Sequence, residues 1–369
     1  MINVSFLSGT RADYGKIKPY IEYLLEKTDV RIHLFLTGMQ VQSKYGSTHK
    51  EIEQQFGSSC HIVYDMDMKE ADTATETAHI VKSYSDHLQS DEIDFVFIHG
   101  DRSEAMAGAL SAVLNNIPVC QIEAGDLSGS IDDSLRHAIS KLSHRFFVAD
   151  ERAKLLLMQM GEDENSIFIV GNSSLANIPT KKKTNMSPSL SEAYGILIYH
   201  PTTTLKPDVI HNEINAIMKA LEKDSRSYVV IMPNNDLNHE VIMDVYNAYQ
   251  DNPKFVFFKS MPFSVFQRLL SGADVLIGNS SCGVKEAPYL GTSVIDIGVR
   301  QQNRYEHLNL PSFKHLDDLA DLSKELSELL LSPKQISHTK YRKQFFDALD
   351  GIFTDDFWKP ALQKKFIFR

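Results

Sequence analysis

Phe95-Val96-Phe97-Ile98-His99-Gly100-Asp101-Arg102, a helical stretch over 105–114, and Ile117-Pro118-Val119-Cys120-Gln121-Ile122-Glu123 read as strand, helix and strand. Both apolar runs are too continuous for half-exposed strands, so they predict a parallel sheet buried on both faces. Each run is followed by a carboxylate, Asp101 or Glu123. Ligands of open α/β sheets bind beyond the carboxyl ends of the strands, which makes these two acids candidates for chemistry.

The same rhythm continues in both directions. Residues 4–8, 31–37 and 145–148 predict further strands of the first half, and Tyr14, Ile17, Ile21, Leu24 and Leu25 form one apolar helical stripe. The rhythm breaks over 172–190, where Pro179, Lys181-Lys182-Lys183 and Pro188 suggest a linker. A second series of strands is predicted at 196–199, 228–232, 255–258, 275–278 and 294–297. The expected architecture is therefore α/β, with two Rossmann-like domains at 1–172 and 173–351 and a ligand cleft between them. The acidic and aromatic tail, 352–369, is expected to pack back on the first domain.

Composition narrows the function classes. A chain of 369 residues suggests two domains at about 150 residues each. The apolar share of 43% and the charged share of 23% suit a globular protein with a full core rather than a disordered one. A net charge of -10 argues against nucleic acid or an anionic membrane as partner, while local cations and helix ends could still meet a small anion. Cys60, Cys120 and Cys282 are widely spaced and odd in number, which suggests neither a disulfide framework nor a zinc site. The first residues enter a strand at once and no apolar run approaches about 20 residues, so a cytoplasmic protein is expected.

Four motifs carry candidate chemistry. Gly9-Thr10-Arg11-Ala12-Asp13-Tyr14-Gly15-Lys16 follows the first strand and opens a helix, where unpaired N–H groups, Arg11 and Lys16 could meet an anion. It lacks the G-x-G-x-x-G spacing of a dinucleotide fingerprint, and a capped helix start with Asp13 near the positive end reads it equally well. Gly278-Asn279-Ser280-Ser281-Cys282-Gly283-Val284-Lys285-Glu286 is the counterpart in the second half. Its small hydroxyl residues would admit a diphosphate, with Glu286 one to two turns into the helix facing a ribose and backbone near Met261 facing a base. A plain serine cap is the competing reading.

The third motif is the acid cluster of Asp101, Glu123 and Asp132. Ser130 to Asp133 fits a capping box that would occupy Asp133 and leave Asp132 for the site. Asp132 and Arg136 share a helix face at i,i+4, so an ordinary surface ion pair is the alternative. The fourth is Tyr199-His200-Pro201-Thr202-Thr203 after a strand, where His200 could hold a phosphate or move a proton. Arg102, Asn234 and Arg300 are weaker candidates on neighbouring loops. His99 and Asp101 lack a second ligand cluster at metal spacing, so no metal is expected.

Taken together, GTRADYGK at 9–16, HGDR at 99–102, IEAG at 122–125, GSIDDSLRHAISKLSH at 129–144, HPTT at 200–203, GNSSCGVKEAP at 278–288 and GVRQ at 298–301 resemble the UDP-N-acetylglucosamine 2-epimerase family. The RADYG and IDD-x-x-RHA forms resemble its hydrolysing branch, found in bacterial sialic-acid pathways. That resemblance implies a two-domain fold like that of GT-B glycosyltransferases, chemistry without metal or nicotinamide cofactor, and a homodimer or homotetramer. It implies catalytic roles for Asp101, Glu123 and Asp132, support from Arg136, and nucleotide or diphosphate contacts by Arg11, Arg102, His200, Asn234, Ser280, Ser281, Glu286 and Arg300. The expected reaction releases UDP and a free manno sugar from UDP-N-acetylglucosamine or a related UDP- or GDP-linked acetamido sugar. A GT-B glycosyltransferase, a non-hydrolysing 2-epimerase and a non-catalytic sugar-nucleotide sensor are the alternatives. The chain departs from the branch at Ala124-Gly125-Asp126, where Gly-Gly-Glu is frequent, at Gln121, where His is common, and at Gly15, where some relatives carry a hydroxyl.

Overall fold

A computed structural model describes residues 1–27, 29–42, 48–65, 67, 71–177, 193–234, 236–305, 310, 312–329 and 340–367. They form two compact units: Met1–Asp126 with Asp132–Asn177 and Tyr341–Arg369, and Leu127–Ile131 with Ile178–Lys340. Most of the expected linker, 178–190, lies outside the described residues.

The first unit contains strands β1 (Ile2–Ser8), β2 (Val30–Leu36), β3 (His61–Tyr64), β4 (Phe95–His99), β5 (Val119–Ile122), β6 (Arg145–Val148) and β7 (Ile167–Ile169). Its helices are α1 (Arg11–Leu25), α2 (His49–Phe56), α3 (Thr73–Ser90), α4 (Ser103–Leu114), α5 (Asp132–Leu142) and α6 (Glu151–Gln159). The strands are parallel in the order β3-β2-β1-β4-β5-β6-β7. The order reverses between β1 and β4, the switch point at which such sheets take ligands. The strands that sequence reasoning missed, β3 and β7, are the short edges of this sheet, where one-sided burial leaves a weak apolar signal.

Period-two alternation sorts the core of this unit onto the two faces of the sheet. Phe95 and Phe97 join Tyr14, Tyr20 and Ile21 of α1, while Val96 and Ile98 join Tyr84 of α3 and Ala105, Ala109 and Ala112 of α4. His33 of β2 is buried on the α3 face, and that burial pushes its imidazole down to about 4.

The second unit carries β8 (Tyr194–Ile198), β9 (Ser227–Ile231), β10 (Phe255–Phe258), β11 (Val275–Gly278), β12 (Ser293–Ile297) and β13 (Phe313–Leu316). Its helices are α7 (Pro207–Lys223), α8 (His239–Asn247), α9 (Phe263–Gly272), α10 (Cys282–Lys285), α11 (Gln302–Tyr305) and α12 (Leu322–Leu329). The parallel order β10-β9-β8-β11-β12-β13 places its switch point between β8 and β11. Leu197, Tyr199, Val230 and Ile277 pack with Ile210, Ile214 and Leu221 of α7 on one face, and Ile196, Ile198 and Leu276 pack with Leu269 and Leu270 of α9 on the other. The missed strand β13 is again an edge.

Unit boundaries differ from the expected breaks at 172/173 and 351/352. Residues 173–177 stay with the first unit because Leu175 and Ala176 are buried there and the Asn177 side chain donates to the Gly15 carbonyl at 3.4 Å. Helix α13 (Lys340–Leu349) places Phe345 and Leu349 in the first core, and α14 (Asp355–Trp358) adds Phe357 and Trp358. Polar anchors hold this tail: the Tyr23 hydroxyl donates to Asp350 Oδ1 at 2.8 Å, and Arg145 Nε donates to the Phe357 carbonyl at 3.3 Å. Leu127–Ile131 instead groups with the second unit, where the Gly129 N–H donates to the Arg300 carbonyl at 3.0 Å and Asn303 Nδ2 to the Ser128 carbonyl at 2.6 Å. No described helix is long and apolar enough to cross a membrane.

Candidate active site

In the first unit the site grows from the ends of β1, β4 and β5, neighbours in the sheet. After β1, Thr10 caps α1 in a reciprocal capping box: its hydroxyl accepts from the Asp13 N–H, and Asp13 Oδ2 accepts from the Thr10 N–H at 2.8 Å and the Gly9 N–H at 3.2 Å. Asp13 is thus a cap, and it is also more than a cap. Its Oδ1 lies 3.5 Å from Nδ1 of His99, and His99 Nε2 lies 3.4 Å from Glu123 Oε2. Glu123 Oε1 lies in turn 3.5 Å from Lys16 Nζ. Asp13, His99, Glu123 and Lys16 form one chain of alternating charge.

Burial by itself would push the His99 imidazolium down, but the Asp13 and Glu123 carboxylates outweigh it and raise His99 above its ordinary 6.5. Burial likewise pushes Asp13 up, and His99 overcomes that to hold it below 3.8. The stabilisation from His99 is fully present below pH 6.5 and is lost as the pH rises through its raised value. That from Asp13 is present above pH 3.8 and is lost as the pH falls through its lowered value. His99→Gln is therefore expected to flatten the decline in urea-measured stability as the pH rises above 6.5. An unchanged slope would show that the ring carries no charge in the folded state.

Glu123 adopts a left-handed backbone, φ 59°, at the end of β5. For a residue without an Asn-like side chain this costs on the order of 1–3 kcal/mol, a strain that clusters at functional positions. Asp101 sits one residue beyond Gly100, whose φ of 85° turns the chain out of β4. Arg136, 1% exposed, reaches Asp101 through Nη2, and its Nη1 donates to Asp133 Oδ1 at 2.6 Å and to the Asp126 carbonyl at 3.0 Å. Helix α5 begins at Asp132, two residues after Ser130, so the expected Ser130–Asp133 capping box is replaced by the bond from Arg136 to Asp133. Asp132 is half-buried at the first residue of α5.

Arg11, Lys16 and Arg102, expected at an anion, each have a carboxylate beside them: Glu51 at 3.6 Å, Glu123 at 3.5 Å and Glu104 at 3.2 Å. Gln121 is fully buried, and its amide is engaged at both ends by α5. It donates to the Arg136 carbonyl at 3.0 Å and accepts from Ser140 Oγ at 2.6 Å, so it fixes the helix that carries Arg136. Sequence reasoning named His99 only within HGDR and as a rejected metal ligand, and Gln121 only as a departure from the family pattern, because their partners come from non-adjacent parts of the chain.

In the second unit Asn279, 1% exposed, ties the ends of β8 and β11 together. Its side chain accepts from the His200 N–H and donates to the His200 carbonyl, both at 2.8 Å. The Asn279 carbonyl accepts from Gln301 Nε2 at 2.9 Å and from Arg300 Nη1 at 3.3 Å. His200 Nδ1 accepts from the Asn234 N–H at 3.2 Å, which leaves the proton of a neutral ring on Nε2. His200, Asn234 and Arg300 are thus brought together around Asn279, a residue that the motif reading quoted without a role.

The expected helix after β11 is corrected. It is one turn, Cys282–Lys285, and Ser281 makes no side-chain cap bond. Pro288 lacks the N–H that would continue the ladder, so the chain turns at Glu286, which is a helix end and not a position one to two turns in. Ser280 Oγ accepts from Cys282 Sγ at 3.2 Å, and the Glu286 side chain is buried. Met261 is 7% exposed in the core against α9, so its side chain is packing. Gly278 has φ 130°, and an added Cβ would lie 1.9 Å from the Ile198 carbonyl oxygen. Gly278→Ala is expected to cost about 3 kcal/mol or more, read from chemical denaturation of the full chain.

A family profile described as UDP-N-acetylglucosamine 2-epimerase matches residues 23–347, most of the chain. The chain belongs to the UDP-N-acetylglucosamine 2-epimerase family. It is 39% identical over 313 residues to a UDP-N-acetylglucosamine 2-epimerase of Neisseria meningitidis serogroup B, covering 83% of this chain and 82% of the relative. It is 33% identical to a hydrolyzing UDP-N,N'-diacetylbacillosamine 2-epimerase of Legionella pneumophila, covering 82% of each. Among solved structures, the Methanocaldococcus jannaschii UDP-GlcNAc 2-epimerase in complex with UDP-GlcNAc and UDP aligns with a TM-score of 0.76 at 20% identity, covering 93% of this chain and 98% of that one. At that identity the likeness shows a shared fold of two Rossmann-like domains. In this family member the strand-end acids and the loops around Asn279 occupy the switch points of two such sheets.

Proposed function

We propose that this 2-epimerase family member is hydrolysing: it converts UDP-N-acetylglucosamine, or a related UDP- or GDP-linked acetamido sugar, to the free manno sugar and the nucleoside diphosphate. The observation that carries this reading is the strand-end group in which Glu123 lies between His99 and Lys16 while Asp101 lies on Arg136. Carboxylates placed beside an imidazole and a guanidinium suit proton transfer to and from carbon.

A carboxylate takes the proton from C2 while the C1–O bond breaks, its electron pair leaving with the diphosphate and a C1–C2 double bond forming. Water then adds its hydroxyl to C1 and a proton returns to C2 from the opposite face. Asp101, Glu123 and Asp132 are the groups assigned to these proton movements, Arg136 orients Asp101, and Lys16 and His99 orient Glu123. The C2 proton is weakly acidic, so departure of the diphosphate needs charge neutralisation. Arg11, Arg102, His200, Asn234, Ser280, Ser281 and Arg300 are assigned to that task, and Glu286 with backbone near Met261 to the nucleoside.

The names of the Legionella relative and of a Campylobacter jejuni relative at 29% identity, both hydrolyzing epimerases of diacetylbacillosamine nucleotides, support hydrolysis and a substrate panel that includes 2,4-diacetamido sugars. The Neisseria relative bears the unqualified epimerase name, which fits either reaction. Incubation with each nucleotide sugar in deuterated water separates the two. Free manno sugar labelled at C2 is the expected product. A UDP-linked manno sugar, or UDP released without label at C2, would refute hydrolytic epimerisation.

A further inference from the structure

The end of the first sheet remote from Glu123 holds a second cluster of titratable groups that the proposed reaction does not use. His33 of β2 and His61 of β3 are register partners on adjacent parallel strands, so their side chains stand side by side on one face. The chain leaving α3 brings Asp91 to them. Its Oδ2 lies 3.9 Å from His33 Nδ1 and 3.9 Å from His61 Nε2. Among the described residues, these three are the one group whose ligand-type atoms all lie within 4.8 Å of one another. Asp91 precedes β4 and Asp101 follows it, so at about 3.3 Å per residue the cluster lies roughly 15 Å or more from the acids.

Two further observations point to a ligand. His33 is 5% exposed, yet among the described residues neither ring nitrogen has a hydrogen-bond partner. A buried imidazole left this way forfeits the hydrogen bonds that water gives it in the unfolded chain, which a ligand at Nδ1 would in part restore. The Asp91 carboxylate, in contrast, is held. Tyr84 Oη donates to Ser5 Oγ at 3.0 Å, which leaves the Ser5 hydroxyl to donate to His87 Nε2 at 3.2 Å. The His87 proton is then on Nδ1, which donates to Asp91 Oδ2 at 2.7 Å. A hydrogen-bonded carboxylate facing two imidazoles is the arrangement of ligands with their supporting shell.

We propose that His33, His61 and Asp91 form a binding site for a divalent transition-metal ion of the zinc class, with His87 as the positioning residue for the Asp91 carboxylate. Two nitrogens and one carboxylate oxygen suit zinc rather than calcium or magnesium, which take oxygen ligands. Metal–ligand bonds of about 2.0–2.2 Å need each ring nitrogen about half an ångström closer to the Asp91 oxygen than it stands. The His61 side chain, 55% exposed on an edge strand, can supply that movement and gives the ion its entry path. Three protein ligands leave the fourth position to water. Bound metal would staple β2 and β3 to the end of α3.

The test uses the full chain stripped of metal by chelator and titrated with Zn²⁺ or Co²⁺. One ion per chain is expected, with a rise in Tm on Zn²⁺ and the visible absorption of Co²⁺ bound to nitrogen ligands. His61→Ala, an exposed change whose fold circular dichroism verifies, is expected to lose that ion and the Tm rise together. His87→Gln is expected to weaken binding about 10–100-fold without abolishing it. Failure of the wild-type chain to bind at about 100 μM Zn²⁺, or an unchanged stoichiometry in His61→Ala, overturns the proposal. Neither outcome depends on epimerase activity.

Discussion

Glu123→Gln and Asp101→Asn are each expected to lower kcat for nucleotide-sugar turnover by about 10²–10⁴-fold, with KM changing far less. Both changes conserve shape and remove only the ability to accept a proton as a carboxylate. Glutamine at 123 keeps an oxygen toward one of Lys16 and His99 and turns its amide nitrogen to the other, and asparagine at 101 keeps an oxygen toward Arg136. Folding should therefore survive while proton transfer at C2 does not. The decisive measurement is deuterium entry at C2 alongside release of the nucleoside diphosphate. Wild-type exchange and release in either variant would remove that acid from the chemistry. Loss of both, with circular dichroism unchanged, is the expected result.

Phe357→Ala is expected to cost about 3–5 kcal/mol, the range for removing a buried aromatic ring from a filled core. Phe357 is 2% exposed, with ring centroids 5.8 Å from Phe147 and 5.3 Å from Phe95. The neighbouring Trp358 is the only tryptophan of the chain and stands edge-on to Phe95 at 5.2 Å. Its fluorescence thus reports on the first unit specifically. Urea titration followed at this single residue should show a lowered midpoint at constant m. A midpoint within error of wild type would mean that the tail adds nothing to the first core.

The alternation of strand and helix, the two-domain arithmetic and the placement of Asp101 and Glu123 at strand ends were legible in the chain because each is local. A doubly buried strand must be apolar throughout, and the residue that ends it is read directly. Edge strands β3, β7 and β13 were not legible, since their short, half-buried runs resemble loops. The one-turn α10 was overextended because the serines and glycine before it dominated the reading, although Pro288 carried the signal to stop.

Partnership is what the linear chain left open. Only the folded chain shows that Arg11, Lys16 and Arg102 stand beside Glu51, Glu123 and Glu104. His99 gains its two carboxylates because β1, β4 and β5 are neighbours in the sheet while far apart in sequence. The same crossover logic pairs His33 with His61 and carries Asp91 to both. Local pattern, which depends on the period of burial along a strand or helix, was determined by the sequence alone. Which charges meet was decided by tertiary structure, because strand order and register set distances that no spacing along the chain contains.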